Sequence, residues 1–393
     1  MALADDQGVA RVLPTGVRRA LSVLTERLAA WRNRRIASSD FQTWASGFPL
    51  TRGVARREAA RLYDLVAGFT YSQTLLACVE LGVFEALRDG PRTIDDLAAD
   101  LDGGPVVDPE RLGVLCQAAA ALDLLERVSP RRYRLGPLGA AALGAPGLLD
   151  MIRHHRIFYR DLADPVALLR GEGDPELSRF WSYVDGQRDQ PDGQAVAYSE
   201  LMASSQTLVA EETLRAVSFE GARRVLDVGG GAGAFLTHVA SAYPSTELML
   251  FDLPAVVREA ERRFDAAGLA GRARAIGGSF HEDPIPGGAD LITLVRVLYD
   301  HDDAVVASLL SKVRAALPVG GRVVLSEPMS GGARPSRAGD AYFGFYTMAM
   351  TSGRPRSPER HAALLEAAGF EAIRTHKTVR PFITGVISAR KVR

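Results

Sequence analysis

Two patterns of apolar and polar positions divide the chain. Up to about Val217 the apolar residues recur at the spacing of one helix face. Beyond it, short apolar runs alternate with amphipathic stretches, the signature of strands separated by helices. In the first part, Leu21, Val23, Leu24, Leu28 and Trp31 are interleaved with Arg18, Arg19, Arg27, Arg32, Arg34 and Arg35, which predicts a basic helix. Helical spacing resumes from Glu58 to Leu87 and stops before Gly90-Pro91. Thr93, with Asp96 three residues on, opens a short helix as a variant capping box. Asp108-Pro109-Glu110 opens another that runs through Leu112, Leu115, Ala119 and Leu122 to Leu125. Ser129-Pro130 then turns the chain into the alternating Arg132–Leu135, one strand of a small hairpin. Helix, helix, hairpin is the order of a winged-helix module. Met151 to Gly171 reads as one helix, Gly171–Pro175 and Asp185–Gly193 as loops, and Tyr198–Val217 as a further helix.

The strands of the second part are read at Arg224–Val228, Glu247–Phe251, Arg274–Ile276, Asp290–Val297 and Arg322–Ser326, then Glu371–His376 and Phe382–Ala389. Helices between the first five imply a parallel, doubly wound sheet. Only a few residues around Arg380-Pro381 join the last two, so they must pair antiparallel. The fold class is therefore α/β. Its Rossmann-like sheet of five parallel strands and a C-terminal antiparallel hairpin is the usual order of class I methyltransferases, here preceded by an α-helical, winged-helix-like domain. The expected boundaries are 1–57 for a basic helical extension, 58–147 for the winged-helix-like domain, 148–217 for a helical linker and 218–393 for the α/β domain.

Composition narrows the function. Lys plus Arg and Asp plus Glu number 47 each, so the chain is neutral overall and lacks the basic excess of a nucleic-acid binder. The second helix of the winged-helix module, with Gln117 to Leu122 almost all Ala, offers few side chains to read bases. That module is expected to pack on a second subunit, giving a homodimer. Two cysteines, Cys78 and Cys116, lie in apolar helical stretches and form no disulfide framework. No apolar run is long enough to span a bilayer and no secretory signal opens the sequence, which reads as cytoplasmic. The basic helix adds an expected peripheral contact with an anionic membrane.

The chemistry concentrates in Val225–Phe235, VLDVGGGAGAF, where a strand ends in Asp227, then Gly229, Gly231 and Gly233, and a helix follows. The glycines let backbone N–H groups approach a ligand closely. They also satisfy a nicotinamide pattern, so they do not decide the cofactor alone. Asp227 does, because a carboxylate there repels a pyrophosphate and suits a ligand carrying a positive charge and an amino group. Asp252, ending the next strand, is placed to accept ribose hydroxyls. The cofactor indicated is S-adenosyl-L-methionine. No metal is expected, since neither His-x-x-x-His nor a ligand cluster occurs.

With Phe251-Asp252-Leu253-Pro254, Gly278-Ser279-Phe280, Leu294–Asp303 (LVRVLYDHDD) and Ser326-Glu327-Pro328, the sequence resembles the two-domain O-methyltransferases of plants and actinomycetes. The resemblance implies that Asp227, the three glycines, Asp252, Leu253 and Arg296 hold the cofactor and that Gly278, Ser279 and Phe280 flank its adenine, with Ser279 where the family often has Asp. That family usually ends its fourth strand in Leu-His-Asp-Trp, with the His as base. Here Tyr299 takes the base position and His301 the tryptophan position, while Glu327 matches a glutamate that supports the base. A phenol titrates near 10, so Tyr299 is a poor resting base. It can orient an alcohol for attack while His301 or Glu327 takes the proton late.

His154, His155 and Phe158, with Tyr346 and Met350 in the aromatic and Met-rich run Ala341–Met350, are expected to line the acceptor pocket, although such a run is as readily core. Adjacent histidines cannot both face one way, so one of the two is expected to be structural. These segments are similar to the carotenoid 1-hydroxyl (demethylspheroidene or hydroxyneurosporene) O-methyltransferases of purple phototrophic bacteria. That similarity implies an apolar polyene bearing a tertiary hydroxyl as acceptor. Bacteriochlorophyll C-methyltransferases, another small-molecule O-methyltransferase, a related hydroxylase and a ligand-responsive winged-helix regulator are the competing readings.

Overall fold

The computed structural model describes residues 15–101, 107–180 and 205–393, so the Asp185–Gly193 loop and the start of the helix expected from Tyr198 lie outside the described residues. The chain divides into two compact units after Thr74, inside the helix Arg52–Glu80. In the first unit the basic segment forms the helix Thr15–Ile36. The helix Ser39–Gly47 follows, its N-cap Ser38 accepting from the Phe41 N–H.

In the second unit the expected helix Glu58–Leu87 breaks at Gly82, whose φ of 68° starts a new turn, Val83–Ala86. Thr93 and Asp96 form the capping box of Ile94–Asp100, and the Asp108 carboxylate caps Pro109–Ala121. That second helix stops four residues earlier than the pattern suggested, because Asp123 adopts φ 57° and turns the chain into a strand. Strands β1 (Arg92–Thr93), β2 (Leu125–Ser129) and β3 (Arg132–Leu135) form an antiparallel sheet in the order β1-β3-β2. Phe84, Leu97, Leu112, Leu125, Tyr133 and both free cysteines fill the core beneath it.

The segment expected as one helix from Met151 to Gly171 is two, Leu148–Asp161 and Pro165–Leu169. The residue before a proline is pushed out of the helical region. Asp164 therefore leaves the helix and caps the next one, accepting from the Val166 and Ala167 N–H groups at 3.1 and 3.0 Å. Residues 205–216 are helical and lead into the main sheet.

Strands β4 (Arg224–Val228), β5 (Glu247–Asp252), β6 (Ala273–Gly277), β7 (Leu291–Val295) and β8 (Arg322–Glu327) are parallel. With β9 (Glu371–His376) and β10 (Gly385–Arg390) they make a seven-stranded sheet in the order β6-β5-β4-β7-β8-β10-β9. The expected last strand starts later than Phe382 because Arg380–Ile383 forms a hydrogen-bonded turn, Ile383 N–H to Arg380 C=O at 2.9 Å. A sheet covered by helices on both faces needs strands that are apolar throughout, and all five residues of β7 are buried. Leu226, Ile292 and Leu294 pack into one core layer, Val225, Leu291 and Val295 into the other. Each such side chain contributes roughly 1.5–3 kcal/mol on burial. Two rigid layers thus fix the carboxyl ends of β4, β5, β7 and β8 side by side, where ligands bind in open α/β sheets.

Gly353 sits at φ 72° against the loop that follows β7, and an added Cβ would lie 2.1 Å from the Tyr299 carbonyl oxygen. Gly353→Ala is expected to destabilise the protein by more than about 1 kcal/mol in urea unfolding. Gly344→Ala, in the helix Phe343–Ala349 with open space around it, is expected to be neutral or better. Equal midpoints for the two variants would show that the loop relaxes freely.

Candidate active site

The chain leaves β7 through Arg296, which takes φ 58°, and enters a tight turn, Leu298–Asp300. Parallel pairing sets Val295 beside Ser326, so the next residue of β8, Glu327, lies under that turn. Its carboxylate accepts from three successive backbone N–H groups: Val297 at 3.0 Å and Leu298 at 2.9 Å on Oε1, and Tyr299 at 3.3 Å on Oε2. Arg356 holds the opposite poles, donating to the carbonyls of Leu298 and His301 at 2.7 Å each while pairing with Asp303 at 2.7 Å. Both side chains are buried. Burial pushes the Glu327 carboxyl up to about 7 against the pull of the three N–H groups and of Arg356.

Held in this way, the turn sends its side chains in different directions. The Tyr299 ring meets Phe343 edge-on at 6.0 Å. His301 lies against Phe280 and His281, each at 5.3 Å. Burial, then the neighbouring His281 and Arg356, hold His301 down to about 4, so it is neutral at pH 7. Between them the Asp300 carboxyl is buried, with Oδ1 lacking any hydrogen-bond partner among the described residues. Burial and the nearby Glu327 raise its pKa well above the carboxylate range, opposed by Arg296 and by a hydrogen bond from the Tyr299 hydroxyl.

On the other side of β7 lies the glycine loop. Gly229, Gly231 and Gly233 all take positive φ, and Gly231 donates its N–H to Asp252 Oδ2 at 2.7 Å. The Leu253 N–H reaches Asp252 Oδ1 at 2.7 Å. Burial raises the Asp252 pKa while those two N–H groups oppose it. Asp227 pairs with Thr293 across β4 and β7 and accepts its hydroxyl at 2.6 Å on Oδ1. Its Oδ2 is buried and lacks a partner among the described residues, and a Cβ at Gly230 would come within 2.8 Å of it. Burial pushes the Asp227 carboxyl up to about 7, with Thr293 lowering and Asp252 raising it. A cradle that only glycine leaves open, beside an acid with an unused oxygen, fits a ligand with a cationic amino group. Gly278 donates its N–H to the Asp252 carbonyl at 2.9 Å, and Ser279 donates its own to Asp283 at 2.8 Å. This turn presents Phe280 stacked on His281 at 4.6 Å. Among the described residues no group of three or more His, Cys, Asp or Glu is arranged for a metal.

The adjacent histidines require a correction. His154 Nε2 meets the Tyr346 hydroxyl at 2.8 Å and His155 Nε2 meets the Tyr342 hydroxyl at 2.7 Å. Both point at one segment, because the two tyrosines stand one helical turn apart and the imidazoles are long enough to bridge the 100° between neighbours. Burial lowers both imidazoles, His154 to about 4, so the pairs are uncharged. Phe158 packs edge-on against Tyr342 and Tyr346, and Met350 is buried in the same cluster. Arg296 reaches Ser205 Oγ at 2.8 Å and lies near His154, Tyr342 and Asp300. Sequence reasoning did not single out Asp300, Tyr342, His281, Thr293 or Arg356. The Tyr342/Tyr346 spacing facing two consecutive histidines was the one local signal.

Residues 159–371 match the O-methyltransferase domain family and residues 63–144 the O-methyltransferase dimerisation domain. The demethylspheroidene O-methyltransferase of Cereibacter sphaeroides is 51% identical over 357 residues, covering 91% of this chain and 93% of the relative. That of Rhodobacter capsulatus is 53% identical over 346 residues, covering 87% and 85%. Among solved structures, human N-acetylserotonin methyltransferase in complex with SAM superposes with a TM-score of 0.72 at 26% identity, covering 86% of this chain and 98% of that one.

Replacing one Glu327 oxygen by an amide would aim donors at donors. Glu327→Gln is expected to cost about 1.5–3 kcal/mol in urea unfolding. An unchanged midpoint would mean that the turn holds its shape without the carboxylate.

Proposed function

The chain belongs to the O-methyltransferase family, and from that premise we propose that it carries the methyl group of S-adenosylmethionine to the tertiary hydroxyl of an apolar hydroxycarotenoid, as a homodimer working at a lipid surface. Two relatives above 50% identity bear the name demethylspheroidene O-methyltransferase, and the dimerisation-domain match over residues 63–144 supports the homodimer. The observation that carries the acceptor reading is the make-up of the turn after β7. It offers a phenol and a buried acid, not an ionisable imidazole, next to the uncharged ring wall of Phe158, Tyr342, Phe343 and Tyr346. An unactivated tertiary alcohol cannot be deprotonated by a weak base in advance, and it does not need to be, because its proton becomes acidic as the new C–O bond forms.

Asp227 would take the cationic amino group of the cofactor, Asp252 its ribose hydroxyls, and Phe280, His281 and His301 would enclose its adenine. When bound, S-adenosylmethionine supplies an electrophilic methyl group on a sulfonium. Tyr299 holds the acceptor oxygen by a hydrogen bond and keeps it aligned. As the oxygen gains its methyl, its proton would pass to the Tyr299 hydroxyl while the hydroxyl proton moves to Asp300 in its ionised form. The raised pKa makes that carboxylate a stronger proton acceptor than an ordinary one. Glu327 and His301 take parts other than accepting the proton. Glu327 is a positioning residue committed to three backbone N–H groups, and His301 belongs to the adenine side.

The reading is tested with methyl-labelled cofactor and a detergent-dispersed 1-hydroxycarotenoid. Label is expected in a methoxy group of the extracted pigment. No label from protein that still binds S-adenosylhomocysteine would reject the acceptor and direct trials to bacteriochlorophyll precursors. Tyr299→Phe and Asp300→Asn are each expected to lower kcat by roughly 10²–10⁴-fold with S-adenosylhomocysteine affinity kept. Full turnover by Tyr299→Phe would remove it from the chemistry.

A pH dependence follows from Asp227, whose carboxyl is raised to about 7. In the free protein this costs stability as pH rises from the unfolded value near 4 toward 7, since the unfolded chain gives up the proton first. A cationic ligand needs the ionised form. S-adenosylhomocysteine affinity is therefore expected to rise between pH 5.5 and about 7 and then level off, with a proton released on binding in the lower range. Calorimetry in buffers of different ionisation enthalpy reads both, and Asp227→Asn should weaken binding and flatten the profile.

A further inference from the structure

The helix Thr15–Ile36 sets five of its large apolar residues on one stripe and leaves them bare, with Val23 and Ile36 lying off it. Val17, Leu21, Leu24, Leu28 and Trp31 follow the i, i+4, i+7, i+11, i+14 spacing of a single face, and all five are 44–56% exposed. Counting 100° per residue, Arg27 and Arg32 border the stripe, while Arg19, Glu26 and Asn33 lie on the far side. The Arg35 guanidinium stands 5.9 Å from the Trp31 ring. The next helix continues the pattern. Phe41, Trp44 and Phe48 are packed ring on ring at 5.6 and 5.0 Å, with Trp44 still 52% exposed and Leu50 beyond them 84%.

Charge selects the partner. The helix carries six arginines against one acid, Glu26, in a chain that is neutral as a whole. An apolar stripe edged with arginine and flanked by tryptophan suits the boundary between lipid headgroups and acyl chains, where the guanidinium groups reach phosphates and the indoles have one wet and one apolar side. No helix among the described residues is long and apolar enough to cross a membrane, so the stripe would lie along the surface. The dimerisation-domain match begins only at residue 63, which sets this helix apart from the module that pairs subunits.

We propose that the exposed stripe Val17–Trp31 and its arginines are a docking surface for an anionic phospholipid bilayer. The inference deepens the reading of an apolar acceptor at a lipid surface: a protein lying on the bilayer meets its acceptor where that acceptor is dissolved.

Flotation of the full-length protein with vesicles tests it, comparing phosphatidylglycerol-containing vesicles with pure phosphatidylcholine. The expected result is flotation with the anionic vesicles alone and release by high salt, since the arginine contribution is screened. The double variant Leu24→Glu/Leu28→Glu and the quadruple variant Arg27→Gln/Arg32→Gln/Arg34→Gln/Arg35→Gln should each lose at least tenfold in vesicle partitioning. Both should keep their thermal melting temperature, their subunit number by gel filtration and their turnover of detergent-dispersed acceptor. Absence of any anionic preference overturns the proposal. So does a change of subunit number in the leucine variant without an effect on flotation, which would make the stripe a contact between copies of the chain. The detergent assay judges the acceptor separately, because it requires no membrane binding, so label or its absence there leaves the flotation result to stand on its own.

Discussion

One buried carboxylate organises the site. Glu327 ends β8 and accepts the N–H groups of Val297, Leu298 and Tyr299, while Arg356 takes the carbonyls on either side of the same turn. A reversing segment inside a protein must satisfy its own backbone groups, and here two side chains of opposite charge do so from opposite poles. Removing either would leave several buried groups unpaired, each costing about 1–3 kcal/mol. The arrangement therefore specifies one conformation of the turn, and that conformation separates Tyr299 from His301.

The separation gives the pocket two kinds of wall. On the glycine-loop side stand Asp227, Asp252 and the Phe280–His281–His301 cluster, with two buried carboxyls. On the other side, the His154–Tyr346 and His155–Tyr342 pairs bond imidazole Nε2 to phenol hydroxyl within a cluster of packed rings. Burial keeps both imidazoles neutral, so these hydrogen bonds join two helices without bringing charge to an apolar wall. On the proposed reading, a cationic ligand and an apolar one would be received by adjacent surfaces that suit them differently.

What the sequence revealed about this site followed chain distance. The glycine loop and Asp227 were legible because strand, turn and helix are consecutive and glycine is demanded by backbone geometry. The parallel sheet and its hairpin were legible because each strand announces itself by composition. Arg356 was not, because the carbonyls it holds lie 55 and 58 residues earlier and a lone arginine has no local signature. Asp300 was passed over because its significance is an unpaired buried oxygen, visible only after packing. Element ends went astray where one residue overrode periodicity: Gly82, Asp123 and the Asp164-Pro165 pair. The two histidines were misjudged because side-chain length, absent from a helical wheel, let both reach the same partner segment.

The position of β10 has a consequence for how the enzyme comes into being. This strand follows β8 by about 60 residues of chain, a separation whose loop-closure entropy must be met before the pair is rewarded. Yet it inserts between β8 and β9 and sets Gly385 opposite Glu327. During synthesis, β8 is an open edge until Gly385–Arg390 has left the ribosome, and the carboxylate that orders the turn then has one unsupported flank. The glycine loop Val225–Phe235, proposed to hold the cofactor, precedes both strands and would be complete earlier. A nascent chain would be able to hold its methyl donor before it could use it.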